Sequence, residues 1–191
     1  MCYREQEVAA LSPFPSSQAA KAHWEPPDWY AIYTRSRHEG VVERYLNRYD
    51  DLQTYLPTKM AWSSRKDRRQ LIEVPALPGY LFIACNLTPM LRAEVKKAPG
   101  VVTIISSDGQ PSRIPPSQIK SLRILLDSHQ DVVIHKEWSH GQRVLIQKGP
   151  LKGATGVLVR TQDNKHRLLV AIEYVGLAVS IDIHESDVEL L

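Results

Sequence analysis

The chain is short of the features on which most membrane proteins, secreted proteins and zinc proteins depend. Its 191 residues include two cysteines, Cys2 and Cys85, in unrelated contexts, and no Cys/His spacing typical of a zinc site. No apolar run approaches the roughly 18 residues that a helix needs to cross a bilayer. Because the first residues lack a charged start followed by an apolar core, we expect no secretory signal. These absences lead us to expect a cytoplasmic protein in a reducing compartment, without membrane contact.

The usual arrangements of catalytic residues are missing as well. The sequence has no glycine-rich phosphate loop, no Gly-x-Ser-x-Gly segment and no paired metal ligands. A group of charged residues at 182–187 is better explained by a strand end at the surface than by a metal site. We therefore predict no enzyme activity, no catalytic residue, no metal and no cofactor.

The positive charge of the chain is modest, but it is concentrated in the first half. Residues 28–116 contain 13 Lys or Arg and 9 Asp or Glu, a net charge of +4, whereas residues 138–191 contain 6 of each. This distribution favours contact of the first half with a polyanion.

Two folded units are expected, separated by a linker. Residues 1–27 are rich in proline and polar residues, and we expect a disordered tail there. Residues 28–126 alternate strand and helix signals in the order strand–helix–strand–strand–helix–strand–helix, which predicts an α+β sandwich of an antiparallel sheet flanked by helices. The first helix is predicted to begin at a capping box formed by Ser36 and Glu39. Residues 127–137 have no clear period and are predicted to be the linker.

The last 54 residues have a different pattern, because apolar residues no longer recur at helical spacing after Trp138. About five short β-rich runs follow, separated by glycine, proline, aspartate and asparagine. Closing such strands on themselves removes exposed sheet edges, so residues 138–191 are predicted to form a small five-stranded SH3-like β-barrel.

Two segments go beyond these general signals. Residues 75–83 read Pro-Ala-Leu-Pro-Gly-Tyr-Leu-Phe-Ile, and residues 141–157 combine a valine-rich strand, a Gly-Pro turn and a glycine before the next strand. The first resembles the Pro-Gly-Tyr strand of the NusG N-terminal domain, and the second resembles the KOW motif. With the opening Trp29-Tyr30 strand and an arginine-bearing helix, the resemblance to the NusG family covers residues 28–191. Within the family, the chain is similar to specialised antiterminators of the RfaH and UpxY kind.

The resemblance implies a transcription elongation or antitermination factor that acts as a monomer. Family members dock an apolar patch of the N-terminal domain onto the clamp helices of the largest RNA polymerase subunit. The residues that match this patch are Tyr30, Tyr33, Leu56, Leu77, Pro78, Tyr80 and Phe82. The family also contacts the gate loop of the second-largest subunit, where residues 91–93 lack the His-Thr-Thr motif of RfaH. That departure puts the gate-loop contact in doubt, or means that it is made by other chemistry.

The resemblance also implies a face directed toward upstream or non-template DNA. Arg37, Arg44 and Arg48 are predicted to form a stripe on the first helix, and a hairpin tip carries four further cations. Arginine can hold phosphate by bidentate pairing or stack on an unpaired base. The predicted nucleic-acid contacts are Arg35, Arg37, His38, Arg44, Arg48, Arg65, Lys66, Arg68 and Arg69.

In the terminal domain, the turn at residues 149–153 lies where relatives present residues to Rho or to a small-subunit ribosomal protein. Leu151 takes the tip position and is expected to be exposed there; Lys152 and Ile172 are predicted to join it as partner contacts. Two alternatives remain open. The chain could be a KOW-type RNA-binding or ribosome-associated module, although the neutral charge of residues 138–191 argues against it. It could also be an interaction protein without a role at the polymerase.

Overall fold

The computed structural model describes residues 27–63, 70–128, 132–135, 141–160, 166–172, 175–183 and 187–190. The predicted tail, apart from Pro27, and the cations of the predicted hairpin tip lie outside these residues. None of the helices in the described ranges is long and apolar enough to span a membrane.

The first half of the chain alternates strands with three helices, as its sequence pattern predicts. Its elements are β1 (Asp28–Thr34), α1 (Glu39–Leu46), β2 (Gln53–Tyr55), β3 (Thr58–Trp62), β4 (Leu71–Pro75), β5 (Tyr80–Cys85), α2 (Pro89–Lys97), β6 (Val101–Ile104), β7 (Ser106–Ser107), β8 (Gln110–Pro111) and α3 (Pro116–Asp127). Thr88 caps α2 by accepting a hydrogen bond from the Leu91 amide, and Pro89 occupies the first helical turn.

A four-stranded antiparallel sheet with the order β2-β5-β1-β6 is the centre of this half. Alternation along β1 and β5 sends Tyr30, Ile32 and Leu81 to one face, where they pack in a hydrophobic cluster with Val42 of α1 and Val95 of α2. The opposite face belongs to a second cluster, whose sheet and α3 members are Trp29, Ala31, Phe82, Ala84, Ile119, Leu122 and Leu125. The sheet is therefore flanked by helices on both faces.

The start of α1 differs from the prediction. The helix begins at Glu39 with His38 as its N-cap residue, and no side chain caps it, so the predicted Ser36–Glu39 capping box is wrong. Glu39 is almost fully buried, and its Oε1 accepts a hydrogen bond from the Gly79 amide at 2.8 Å. The carboxylate thus satisfies a distant backbone donor instead of its own helix terminus.

A turn at residues 76–79 determines which side chains share a face with Tyr80. Gly79 has φ of +84°, which an L-residue seldom adopts. The turn interrupts strand alternation, so Leu77 packs in the same cluster as Phe82, while Leu81 faces the other cluster. The Thr34 amide donates to the Gly79 carbonyl at 2.8 Å and fixes the turn against the end of β1.

The second half of the chain forms a six-stranded antiparallel sheet, here called the C-terminal sheet. Its order is β14-β10-β11-β12-β13-β9, from the strands β9 (Val133–His135), β10 (Gln142–Ile146), β11 (Thr155–Arg160), β12 (His166–Ile172), β13 (Leu177–Ile183) and β14 (Val188–Leu190). Five of these strands lie within residues 138–191, and the arrangement is consistent with the predicted barrel. The fold-class prediction is confirmed in both halves.

Strand β9 comes from the segment predicted to be a linker. Its pairing with β13 matches His135 with Ala178, and the His135 ring nitrogen Nε2 lies 2.7 Å from the buried Ser180 hydroxyl. Residues 133–135 of the predicted linker therefore belong to the C-terminal sheet. A three-residue strand is too short to show a hydrophobic period in the sequence.

Candidate functional site

One end of the N-terminal sheet presents a pair of aromatic rings to solvent. Tyr33 of β1 and Tyr80 of β5 are register partners, and their ring centroids lie 5.4 Å apart at an interplanar angle of 55°. Tyr33 is 41% exposed, and Pro78 beside the pair is also exposed. We call Tyr33, Pro78 and Tyr80 the aromatic patch. Burial, and next to it the neighbouring Tyr33, raises the pKa of Tyr80 above its ordinary value.

The backbone beneath the aromatic patch is closely packed. A methyl group added at Gly79 would lie 3.1 Å from Cε2 of the Tyr33 ring, so the glycine lets the turn approach that ring. The buried Glu39 carboxylate holds the same turn from the other side. This support fixes the turn beneath the Tyr33 ring.

Four other residues predicted to contact the polymerase have little or no accessible surface in this patch. Leu77 and Phe82 are fully buried and lie under Tyr80 in the cluster shared with α3. Tyr30 is 5% exposed and points to the opposite face, where Leu56 also packs. The structure therefore brings together Tyr33, Pro78 and Tyr80 as surface and Leu77 and Phe82 as their foundation. It does not bring Tyr30 or Leu56 to them: strand alternation sends Tyr30 to the other face, and Leu56, which follows β2, packs against the cluster on that face.

An arginine that the sequence did not reveal packs against aromatic rings on the covered part of the same sheet face. The Arg123 guanidinium of α3 lies over two rings, 4.4 Å from the Tyr55 centroid and 5.1 Å from the Trp29 centroid. Burial is the main reason that the pKa of Tyr55 lies above its ordinary value. The Arg123 charge partly offsets this effect by lowering the pKa, and the Asp127 charge raises it. A helical arginine that contacts rings 68 and 94 positions earlier in the chain leaves no local signal in the sequence.

The predicted arginine stripe is only partly helical. Arg44 and Arg48 are exposed, lie four residues apart at the end of α1, and are held by local contacts: Arg44 Nε donates to the Gly40 carbonyl, and Arg48 lies over the Tyr45 ring. Arg37 precedes the helix in a turn with φ of +63°, so its assignment to the helix stripe is wrong.

The remaining predicted nucleic-acid contacts lie close to these residues in sequence or outside the described part. Arg35 is exposed, and its amide donates to the Gly100 carbonyl at 2.7 Å. His38 is half-buried against Gly100, with Nδ1 3.0 Å from the Ser36 carbonyl oxygen. The four cations of the predicted tip, Arg65, Lys66, Arg68 and Arg69, lie outside the described residues.

Two of the three residues predicted to recruit a partner through the terminal domain are buried. Leu151 is 4% exposed and Ile172 fully buried, so the expectation of an exposed leucine at the turn tip is wrong. Positive φ at Gly149 and Gly153 closes the turn and directs Leu151 into the hydrophobic cluster. Lys152 between them is exposed.

The C-terminal sheet packs directly on α3. The Thr155 amide of β11 donates to the Ser121 Oγ at 2.9 Å, and the two hydroxyls lie 3.1 Å apart. Apolar residues of β10 and β12, such as Val144 and Leu168, belong to the same cluster as Leu122. The third helix thus lies between the two sheets.

Comparisons with known proteins agree with this architecture. The family model described as NusG, transcription termination factor nusG, matches residues 27–123, more than half of the chain. The transcription termination/antitermination protein NusG of Rickettsia bellii is 24% identical over 171 residues, covering 84% of this chain and 88% of that protein. The protein of the same description from Staphylococcus epidermidis is 22% identical over 173 residues, covering 85% and 95%.

A solved structure titled "Domain interaction in Thermotoga maritima NusG" has the same fold. It superposes with a TM-score of 0.51 at 20% identity and covers 85% of this chain and 96% of that one. With the family match over residues 27–123, the sheet order and the aromatic patch, the comparisons lead to one conclusion: the chain belongs to the NusG family.

Proposed function

We propose that this chain is a transcription elongation and antitermination factor that binds the clamp helices of RNA polymerase through its aromatic patch. The observation that carries the proposal is the exposed Tyr33 ring packed against the half-buried Tyr80 ring, at the end of a sheet face that is otherwise covered. Tyrosines are enriched among the residues that dominate binding energy at protein interfaces. Because the Gly79 turn and Glu39 already hold the patch in place, binding needs little further ordering.

Such a factor needs no chemical step to act. A protein that binds the elongating state of the polymerase more tightly than the paused state shifts the population toward elongation by the ratio of the two affinities. The buried Leu77 and Phe82 contribute by supporting the patch from beneath.

The exposed cations at both ends of α1 supply a second contact in this proposal. Arg35, Arg44 and Arg48 project into solvent on the first half of the chain, which carries the net positive charge. We assign them to phosphates of the upstream duplex or the non-template strand, together with Arg37, His38 and the tip residues Arg65, Lys66, Arg68 and Arg69.

The C-terminal sheet is proposed to recruit a further protein, either Rho or a small-subunit ribosomal protein. Lys152 is the exposed member of the predicted contacts, while Leu151 and Ile172 shape the surface from below. The gate loop of the polymerase is a second proposed contact on the N-terminal half, near the start of α2.

The experiment is a pull-down of core polymerase with the full chain and its variants. Tyr33→Ala and Tyr80→Ala should each weaken polymerase binding about tenfold or more, because each removes an aromatic side chain from the centre of the contact. Val133→Ala is a matched control: Val133 is 43% exposed, close to the 41% of Tyr33, and lies on the C-terminal sheet. It should bind like the parent protein.

The nucleic-acid contact is measured separately. Arg44→Glu should leave binding to core polymerase unchanged and weaken binding to a polymerase assembled on a DNA–RNA scaffold, most strongly at low salt. Unchanged pull-down by the tyrosine variants would refute the polymerase contact. Equal weakening by Arg44→Glu with and without the scaffold would refute its assignment to nucleic acid.

A further inference from the structure

The residues between β1 and α1 form a loop that reaches the surface between two buried ends. We call residues 35–38 the basic loop, and its proposed nucleic-acid contacts are Arg35, Arg37 and His38. Thr34 before the loop is 1% exposed, and Glu39 after it is 4% exposed. The contacts of these two buried residues therefore determine how the loop is held against the domain.

Both buried ends of the basic loop bond to one residue of the turn that carries the aromatic patch. The Thr34 amide donates to the Gly79 carbonyl at 2.8 Å, and the Gly79 amide donates to Oε1 of Glu39 at 2.8 Å. Pro78 and Tyr80 of the aromatic patch are the neighbours of Gly79 in the chain. Gly79 thus joins the proposed polymerase contact to both ends of the loop that carries proposed nucleic-acid contacts.

The basic loop is also held from the side by Gly100, which follows α2. The Arg35 amide donates to the Gly100 carbonyl at 2.7 Å, and a methyl group added at Gly100 would lie 2.6 Å from Cβ of His38. Within the loop, the His38 amide donates to the Arg35 carbonyl at 3.1 Å. These contacts fix the loop backbone in one arrangement beside the Gly79 turn.

Glu39 makes its bond to the turn through a side chain, so a substitution can remove this bond while the backbone bonds remain. Burying a carboxylate is costly unless it is hydrogen-bonded, and the N-terminal end of a helix favours negative charge. Glu39 meets both conditions, as the first residue of α1 and the acceptor of the Gly79 amide. The carboxylate is therefore stabilised in a position from which it connects α1 to the turn beneath the aromatic patch.

We propose that Glu39 is a positioning residue that couples the polymerase contact to the nucleic-acid contact, by holding the basic loop and the aromatic patch in one fixed geometry. When two contacts are joined rigidly, the second forms at a high effective concentration once the first has formed. A looser joint lowers this effective concentration even when each contact remains intact. The inference rests on the two contacts proposed above and deepens them, but each contact can exist without the coupling.

The test compares the affinity of the full chain for core polymerase with its affinity for polymerase assembled on a DNA–RNA scaffold. We call the ratio of the second affinity to the first the scaffold gain. Glu39→Asp keeps the charge but withdraws the carboxylate from the Gly79 amide by one methylene, so the scaffold gain should fall about threefold or more. Glu39→Gln keeps the length and an acceptor oxygen, and its scaffold gain should remain within about twofold of the parent value.

A double-mutant cycle assigns the effect to the basic loop. Arg35→Ala should lower the scaffold gain in the parent protein and have a smaller effect in Glu39→Asp, because the loosened loop no longer presents Arg35 in the geometry that adds to the polymerase contact. Equal effects of Arg35→Ala in the two backgrounds would overturn the coupling.

Ser121→Ala is the control for lost stability. Like Glu39, Ser121 is buried and accepts a hydrogen bond from a distant backbone amide, that of Thr155, but it lies on α3. Its scaffold gain should equal that of the parent protein, with all affinities measured at a temperature where circular dichroism shows each variant folded.

Gly100→Ala is a second way to disturb the loop, and it keeps the test decisive if Glu39→Asp does not fold. The added methyl group would displace His38 without removing the bond between Glu39 and Gly79. Its scaffold gain should fall, while its affinity for core polymerase should stay close to that of the parent protein.

The outcomes separate this inference from the proposed function. A parent-like scaffold gain in folded Glu39→Asp or Gly100→Ala, with a lowered gain in Arg35→Ala, would overturn the coupling and leave the nucleic-acid contact standing. Equal losses in Glu39→Gln and Glu39→Asp would overturn the role of the hydrogen bond. Failure of the proposed function would instead appear as unchanged binding of core polymerase by Tyr33→Ala and Tyr80→Ala.

Discussion

The two faces of the N-terminal sheet are built from the same two strands but are closed in different ways. The face carrying Tyr30, Ile32 and Leu81 is covered by α1 and α2, which lie next to β1, β5 and β6 in sequence. The other face receives its cover from α3, at the end of the N-terminal half, and remains open where Tyr33 and Tyr80 lie. The first face is therefore a closed core, and the second combines a core with the proposed binding surface.

This difference shows how one sheet face can combine a proposed binding surface with the buried core that supports it. On the partly open face, Phe82 is fully buried, whereas Tyr80 two residues before it is partly exposed on the same strand and face. Neighbouring positions on one strand face thus differ in burial, and in the proposed function Phe82 serves stability while Tyr80 serves binding. Substitutions at Phe82 and Tyr80 test whether the contributions to stability and to binding are separate.

The largest expected effect is the loss of stability when the buried Phe82 ring is removed. Phe82→Ala removes a fully buried ring that packs with Tyr55 and should lower the free energy of unfolding by about 3–5 kcal/mol. Tyr80→Ala removes a partly exposed ring and should lower it by about 1–2 kcal/mol. Urea unfolding followed by circular dichroism measures both values.

Polymerase binding should rank the same two variants differently. At a temperature where both remain folded, Tyr80→Ala should bind core polymerase more weakly than Phe82→Ala, because Phe82 has no exposed surface of its own. Stronger binding by the Tyr80 variant would mean that the two positions do not divide stability and binding in this way.

A smaller effect is expected at the contact between α3 and the C-terminal sheet. Ser121→Ala removes the acceptor of the Thr155 amide and should lower the free energy of unfolding by about 1–3 kcal/mol, because a half-buried donor is left unpaired. Amide hydrogen exchange at Thr155 should accelerate in this variant.

The exchange measurement also shows how far the second sheet depends on the first. If α3 supports both sheets, exchange should accelerate at Thr155 and its neighbours in β11, and remain unchanged in β5 on the far side of the helix. Ser107→Ala, in the exposed two-residue strand β7, is the matched serine control. Acceleration limited to Thr155 itself would mean that the hydrogen bond is local and that the contact is held by apolar packing alone.

Much of the fold follows from the sequence, because its signals are local. The alternating pattern of residues 29–34 predicts strand β1, and Pro89 after Thr88 predicts the start of helix α2. The short β-rich runs separated by glycine after residue 140 predict the strands of the C-terminal sheet. The capping box failed for a physical reason. The Glu39 carboxylate accepts a hydrogen bond from the buried Gly79 amide, 40 residues away, instead of from its own helix terminus. No local sequence pattern reveals that contact.

The candidate site was predicted less completely than the fold. The resemblance implied seven residues for one surface, but Tyr30 and Leu56 pack on the opposite face, and Leu77 and Phe82 are buried. The turn tip at Leu151 shows the same limit. A leucine between two glycines is compatible with exposure or with insertion into the core, and the positive φ of both glycines decides for insertion.

The smallest expected effect concerns Tyr55 on the covered part of the open face, and it depends on pH. Burial raises the pKa of the Tyr55 hydroxyl above its ordinary value of 10.0, so the folded protein holds this proton where the unfolded chain releases it. The stabilisation is therefore complete below about pH 10 and is lost as pH rises through the elevated value. Tyr55→Phe should reduce the decline in unfolding free energy between about pH 8 and about pH 11, measured by urea unfolding at both. Arg123→Gln removes the cation that lowers this pKa, but the folded protein already keeps the Tyr55 proton throughout this range, so the variant should leave the decline between about pH 8 and about pH 11 unchanged. A steeper decline in Arg123→Gln than in the parent protein would mean that this arginine acts on another titrating group, and the alkaline sensitivity of the covered part of the face would then come from a group other than Tyr55.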